Sequence, residues 1–263
     1  MKTKLTVLLP VYNGERFLKA CIDSILNQSF ENYKFIIIND GSQDSSNDII
    51  NNYNDERIQL INNNNNLGLT ETLNKGLHIA KTNYIARIDQ DDTSEKDRLQ
   101  QQMQYLKENR SVKLIGCWGK IIDENDSFIK SIHYPSRKSK ILEAFVSYNP
   151  FIHSSVIFDK EIALKFYGYP KSFVHAQDFY LWYNITSQFE VYNIPEELVN
   201  IRWHNQRATE GEFNSIYILK EALHVYNLAI KNPEINSLIR LKGKMRVLLK
   251  PWYFRKILGL KPK

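Results

Sequence analysis

The sequence predicts a three-layer α/β domain on a mostly parallel central sheet, followed by a helical C-terminal extension. Three observations carry this prediction. Apolar runs in the first 90 residues are continuous rather than alternating, as expected of strands buried on both faces. Each run is followed by a stretch with apolar residues at helical spacing, the pattern of repeated strand-helix units. Of the 263 residues, 43% are hydrophobic and 24% charged, enough apolar material for a large core.

The elements follow in order. "LTVLLP" (5–10) reads as a buried strand and "RFLKACIDSILNQ" (16–28) as its helix. "FIIIND" (35–40) is a second strand, and the Ser/Asp-rich segment after it caps a helix from about Asn47. "RIQLIN" (57–62) with "TETLNKGLHIA" (70–80), and "YIARID" (84–89) with "RLQQQMQYLKE" (98–108), complete four such pairs. "KLIGCWGKIID" (113–123) is a fifth strand. The pattern then becomes irregular, with a β-hairpin, a helix and another strand expected before residue 160. "QDFYLWYNITSQ" (177–188) reads as a helix and "FEVYNI" (189–194) as a strand; from about Asn214 the chain is helical, with breaks at Pro233 and Pro251.

Charge and cysteines narrow the function classes. The net charge is +6, but residues 240–263 hold nine Lys or Arg and no acid, which leaves −3 on residues 1–239. The basicity belongs to the tail, which argues against a nucleic-acid partner for the main domain. Cys21 and Cys117 lie far apart and match no metal or redox spacing, so two buried thiols in a reducing compartment are expected. Residues 1–9 carry no signal-peptide pattern, and no run approaches the roughly 20 apolar residues of a bilayer span. A cytoplasmic protein is the expectation.

In an open α/β sheet, ligands sit beyond the carboxyl ends of the strands. After the first strand, "PVYNGE" (10–15) has one glycine, too few for a dinucleotide or nucleotidyl-transfer loop. After the second, "NDGS" (39–42) puts Asp40 at the sheet edge, where it either closes an Asp-Gly turn or accepts a hydrogen bond from a nucleobase N–H. After the fourth, Asp89, Asp91 and Asp92 crowd three carboxylates into four positions. Hard oxygen ligands of this kind suit Mg²⁺ or Mn²⁺, held by one or two carboxylates plus substrate phosphates. Capping of the next helix by Asp92, Thr93 or Ser94 is compatible with that reading.

Taken together, "LPVYNGERFLKACIDSILNQSF", "IIINDGSQDSS", "NLGLTETLNKGL" and "YIARIDQDD" resemble the inverting family 2 glycosyltransferases of GT-A fold, in order and over about the first 120 residues. The resemblance implies a nucleotide sugar, most readily a UDP-sugar, as donor. Pro10, Val11, Tyr12, Glu15 and Asp40 would hold the nucleobase, with Lys75 and Gln90 also facing the nucleotide. Asp89 and Asp91 would form the D-x-D element around ribose and a metal-bound diphosphate, the ion being Mn²⁺ or Mg²⁺. In "HAQDFYLW" (175–182), Asp178 matches the family's general base, while Gln177 stands where a Glu is usual. "NIRWHNQRAT" (200–209) resembles a late segment whose histidine, His204, would reach the diphosphate or the metal. His153, Gln177 and Trp182 are expected on the acceptor side; surface or core packing is the competing reading for each ring. The implied organisation is a catalytic domain over 1–212, its nucleotide-sugar half 1–118 and its acceptor half 119–212, with a helical extension over 213–263.

The implied activity is sugar transfer to a hydroxyl of a glycan or lipid-linked acceptor in bacterial surface-polysaccharide assembly. The alternative is a non-catalytic nucleotide- or glycan-binding module of the same fold. The tail 240–263 interleaves its nine cations with Trp252, Tyr253, Phe254 and aliphatic residues, which leads to the expectation of a peripheral protein on anionic lipid at the inner face of the cell membrane; a terminal helix packed on the main domain with a solvated basic face is the competing reading.

Overall fold

The computed structural model describes residues 4–204 and 212–245. The first four strand-helix pairs form as the sequence predicts. β1 (Leu5–Val11) leads into α1 (Glu15–Leu26), β2 (Tyr33–Asn39) into α2 (Ser46–Asn51), and β3 (Ile58–Asn62) into α3 (Leu69–Ile79). β4 (Tyr84–Arg87) ends two residues earlier than predicted, because the chain turns at the carboxylate cluster; a short β5 (Thr93–Ser94) precedes α4 (Arg98–Glu108). These strands build a parallel block in the order β3-β2-β1-β4.

The second half extends the same sheet. β6 (Val112–Ile122) and β7 (Phe128–Ile132) form a hairpin, followed by α5 (Lys138–Ala144) and a 3₁₀ turn over His153–Ser155. β8 (Ile157–Asp159), α6 (Lys160–Lys165), α7 (Gln177–Gln188), β9 (Glu190–Arg202) and α8 (Glu212–Lys231) complete the order. β8 inserts antiparallel between β4 and β6, while β9 runs parallel to β6 and antiparallel to β5. The sheet is therefore mixed, its parallel character concentrated in the first half. β9 reaches Arg202, well past the predicted end at 194, because "IRW" continues the pairing with β6.

Strand alternation explains the two cores. Leu8, Ile36 and Ile38 face α3, α5 and α7 on one side of the sheet. Their neighbours Val7, Leu9, Phe35 and Ile37 face α1 and α4 on the other. α3 approaches β1 closely at Gly76, where an added Cβ would lie 2.4 Å from Leu8 Cδ1. Cys21 and Cys117 are buried free thiols, as expected.

α8 packs on the α7 side of the sheet through Ala222, Val225, Tyr226, Ala229 and Ile230. The break expected at Pro233 is present, and a further helical stretch covers 237–245. Among the described residues no helix is long and apolar enough to cross a membrane. Most of the tail, from 246 on, lies outside the described residues.

Candidate active site

The carboxyl ends of β1, β2 and β4, the 3₁₀ turn and the N-terminus of α7 enclose a cavity of about 500 Å³. Pro10, Val11, Tyr12 and Asp40 form one wall, Asp89 to Asp92 the floor, and His153, Val174, His175, Gln177 and Asp178 the opposite wall, with His204 closing one end.

The first wall is locked by side chains that bond to backbone. Gln90 Oε1 accepts from Tyr12 N at 2.8 Å and Gln90 Nε2 donates to Tyr12 O at 3.0 Å, tying the end of β1 to the loop after β4. Gly14 makes room for that amide: a Cβ there would sit 2.6 Å from Gln90 Oε1. Asp40 is buried, and its carboxylate accepts from Asn63 Nδ2 (2.6 Å), Leu67 N (3.0 Å) and Gly68 N (2.9 Å). The turn after β2 is closed instead by Asn39, whose Oδ1 accepts from Ser42 N at 3.1 Å. With about four acceptor sites on a carboxylate, Asp40 keeps one for a ligand.

The acidic floor is neutralised from beneath. Arg87 is fully buried, donates to Leu8 O (3.0 Å) and Ile88 O (2.6 Å), and pairs with Asp89 Oδ1. The other oxygen, Asp89 Oδ2, lies 2.9 Å from Ser154 Oγ. Burial raises the Asp89 carboxyl, but Arg87, His153 and Ser154 outweigh it and bring it down to about 2. Asp92, one of three residues that could have capped the next helix, is held within the floor instead, accepting from Arg202 N (3.0 Å) and meeting Ser154 Oγ at 2.5 Å. Burial and the neighbouring Asp91 and Asp89 push its carboxyl well up.

Asp91 is the least encumbered of the three. Its Oδ2 lies 2.8 Å from His204 Nε2, just past the end of β9. Arg202 positions this pair: Nε donates to Asp91 O at 3.1 Å, Nη1 to Asp123 O at 3.0 Å, and Nη2 pairs with Asp126 at 2.6 Å. Among the described residues no cluster of three or more His, Cys, Asp or Glu converges on a point. Asp91 and His204 therefore supply two donors, which fits a divalent ion that takes its remaining oxygens from a diphosphate and water.

On the opposite wall, His153 Nε2 is 3.2 Å from both Arg87 Nε and Tyr169 Oη. Burial, with the guanidinium beside it, lowers its pKa to about 3, so the ring is neutral and Nε2 accepts. Asp178 sits in the first turn of α7, where Asn149 Nδ2 donates to Oδ2 at 2.9 Å and Phe179 N to Oδ1 at 2.6 Å. Burial still prevails over both bonds and raises the carboxyl to about 6. Gln177 is buried beside it, and its Oε1 has no hydrogen-bond partner.

Three of the sequence-predicted residues lie off the cavity wall. Glu15 Oε2 accepts from Ser45 N at 2.9 Å, while Glu15 N donates to Asp44, a reciprocal clasp between α1 and the loop before α2. Lys75 Nζ donates to Asn63 Oδ1 at 2.5 Å, behind Asp40. Trp182 is fully buried and packs against His153, Phe158 and Tyr169, which makes it core. Sequence reasoning passed over Arg87, Asn149 and Ser154, and it noted Arg202 only as the first residue of the R-x-H segment, with no role of its own. Arg87 also left a signal: a cation inside an apolar strand, two residues before Asp89 and hence on the same face.

Comparison with known proteins gives the family and the fold. Residues 6–167 match the model of the glycosyl transferase family 2. An uncharacterised glycosyltransferase of Methanocaldococcus jannaschii is 32% identical over 230 residues, covering 83% of this chain and 79% of the relative. The O-antigen biosynthesis glycosyltransferase WbnJ of Escherichia coli is 31% identical over 214 residues, 79% of this chain and 82% of its own. Among solved structures, S. aureus TarS in complex with UDP-GlcNAc superposes with a TM-score of 0.73 at 17% identity, over 96% of this chain and 74% of that one. The mannosyltransferase PcManGT from Pyrobaculum calidifontis, in complex with GDP-Man and Mn²⁺, gives 0.67 at 16% identity, over 97% and 73%. The fold is GT-A, and the chain belongs to glycosyl transferase family 2 and is a glycosyltransferase.

Proposed function

We propose that the chain is a metal-assisted, inverting glycosyltransferase that moves a sugar from a UDP-sugar to a hydroxyl of a glycan or lipid-linked acceptor in surface-polysaccharide synthesis. The observation that carries the reading is one cavity lined by Asp40, Asp91, His204 and Asp178, with the last held as a weakly acidic carboxyl at about 6. TarS bound to UDP-GlcNAc supports the donor class, and the O-antigen role of WbnJ supports the acceptor class.

The nucleobase lies against Pro10, Val11 and Tyr12 and meets the remaining acceptor site of Asp40. Asp89, fixed by Arg87, faces the ribose beside Gln90. Asp91 and His204 would hold Mn²⁺ or Mg²⁺, which supplies positive charge to the diphosphate when bound. Asp178 takes the proton of the acceptor hydroxyl as its oxygen bonds to the anomeric carbon and the bond from that carbon to the diphosphate oxygen breaks. Attack from the face opposite the diphosphate inverts the anomeric centre. His153 and Gln177 border the acceptor.

A panel of nucleotide sugars, each with Mn²⁺ or Mg²⁺ and a lipid-linked glycan extract, tests this by release of nucleoside diphosphate. UDP released only in the presence of acceptor supports it. Release that persists at full rate in Asp178→Asn, or no release from any donor, would sink it.

The placement at the inner face of the cell membrane rests on the sequence of the tail. The described stretch 237–245 is consistent with it, for it exposes Leu238, Leu241 and Met245 beside Lys242 and Lys244.

A further inference from the structure

α7 begins without a side-chain cap at its N-cap position: Ala176 stands there, and its methyl group cannot accept from the first turn. The backbone N–H groups just before it are bonded all the same. Glu221, on α8, accepts from Val174 N at 2.8 Å through Oε1, and from His175 N at 2.9 Å and Ala176 N at 2.8 Å through Oε2. Three consecutive amides thus converge on one carboxylate, an arrangement of charge-assisted bonds at the positive end of a helix. One turn along α8, the His224 ring lies 5.7 Å from that of Phe173 and 5.9 Å from that of Tyr180. The clasp therefore grips the segment on both sides of the three amides.

What the clasp holds is the acceptor wall. Val174 and His175 line the cavity, and Gln177 and Asp178 follow directly in the chain. Asp178 is tied to the rest of the wall through Asn149, which leaves the direction of its own backbone to the α7 N-terminus. α8 lies beyond residues 6–167, the span of the family match.

We infer that Glu221 is a positioning residue for transfer: from α8 it fixes the first turn of α7, and with it the Asp178 carboxylate and the Val174–His175 wall. The helix after the catalytic sheet is thereby part of the transfer machinery. The inference rests on the reading of Asp178 as base.

The test uses the full chain and the variants Glu221→Ala, Glu221→Gln, Asp178→Asn and, as a control on the exposed face of α8, Lys220→Ala. Amide exchange is followed by mass spectrometry on peptides covering 171–179 and on β1 and β2. UDP affinity is measured with Mn²⁺, and turnover as UDP release from UDP-glucose, UDP-galactose and UDP-GlcNAc with the glycan extract. Glu221→Ala is expected to speed exchange in 171–179 by tenfold or more with β1 and β2 unchanged. It should leave UDP affinity within twofold and lower turnover tenfold or more. Glu221→Gln keeps an oxygen but turns an NH₂ toward the remaining amides, so it should fall between Ala and the unaltered chain; should the Ala variant not fold, this variant decides. Lys220→Ala should change nothing. Unaltered exchange in 171–179, normal turnover in Glu221→Ala, or loss of UDP binding together with faster exchange everywhere, overturns the inference. Normal turnover in Asp178→Asn overturns the base reading instead, and no UDP release by the unaltered chain overturns the donor reading, with exchange left to decide the clasp.

Discussion

Replacing Asp178 by Asn should lower activity and remove a pH-dependent cost in stability together, and both effects follow from one carboxyl. Burial lifts it from an ordinary 3.8 to about 6 against the pull of two hydrogen bonds, from Phe179 N and Asn149 Nδ2. The folded chain thus binds this proton more tightly than the unfolded chain. Between pH 4 and 6 stability falls as pH rises, and above 6 the whole cost of ionising Asp178 is present. Two pKa units correspond to about 3 kcal/mol at most. The carboxylate borders an open cavity, so solvent reduces the cost to about 1–2 kcal/mol. Asn carries no such cost, but its NH₂ cannot accept, so one of the two hydrogen bonds is lost at every pH, at about 1 kcal/mol. Relative to the unaltered chain, the melting temperature of the variant should therefore rise by about 2–8 °C between pH 4 and pH 7.5, on the 2–4 °C per kcal/mol typical of this size.

Turnover should move the other way. A general base contributes about 10²-fold or more, so Asp178→Asn should lose at least that while UDP affinity stays unchanged. In the unaltered chain, transfer should fall about tenfold for each pH unit below about 6, the position of this carboxyl. Removing the Asn149 donor with Asn149→Ala takes away a bond that favours the ionised form, so the acid limb should shift upward. Differential scanning calorimetry from pH 4 to 8 and initial rates over the same range are the assays. A melting-temperature difference that stays constant from pH 4 to 7.5, or an acid limb that survives in Asp178→Asn, would refute the reasoning.

Other consequences are open to direct measurement. UDP should bind much more tightly with Mn²⁺ or Mg²⁺ than with chelator, and Asp91→Ala should erase the difference; calorimetry showing equal affinities in the unaltered chain removes the ion from the mechanism. Arg87→Met should destabilise by about 1–3 kcal/mol, because it removes the buried cation that pairs with Asp89, whose side chain is 31% exposed to the cavity. Adding Asp89→Asn should return part of that loss, and urea unfolding of the single and double variants decides. Gly76→Ala should cost about 1–3 kcal/mol by overpacking against Leu8, read from the same unfolding curves. At low salt the full chain should sediment with anionic vesicles, and replacing Lys250, Arg255 and Lys256 by Gln should reduce the pelleted fraction; equal pelleting of both forms argues against the tail as anchor.

Those predictions draw on different depths of the sequence. Buried parallel strands need runs such as "FIIIND", and the following helices need apolar residues every three or four positions, so the first 110 residues declare their fold locally. The second half does not. β8 is three residues long, and it belongs in the sheet only because β4 and β6 flank it, a fact of tertiary pairing that no local pattern encodes. The extension of β9 to Arg202 has the same cause, and with it the placement of His204 against Asp91, 113 positions apart. Charge patterning likewise identified the acidic cluster but not its support. Three carboxylates in four positions suggested a metal as the neutralising partner. In the folded chain Asp89 is already paired with buried Arg87, and Asp92 is held by Ser154 and the backbone of Arg202. The cluster is thus stable before any ligand arrives, which is what a site that must release its product requires. The Asp91 carboxylate lines the cavity paired with His204 and not with a buried arginine, so substitutions at the three positions should separate. Loss of Asp91 should weaken diphosphate binding, whereas loss of Asp89 or Asp92 should disturb the floor on which Asp91 stands.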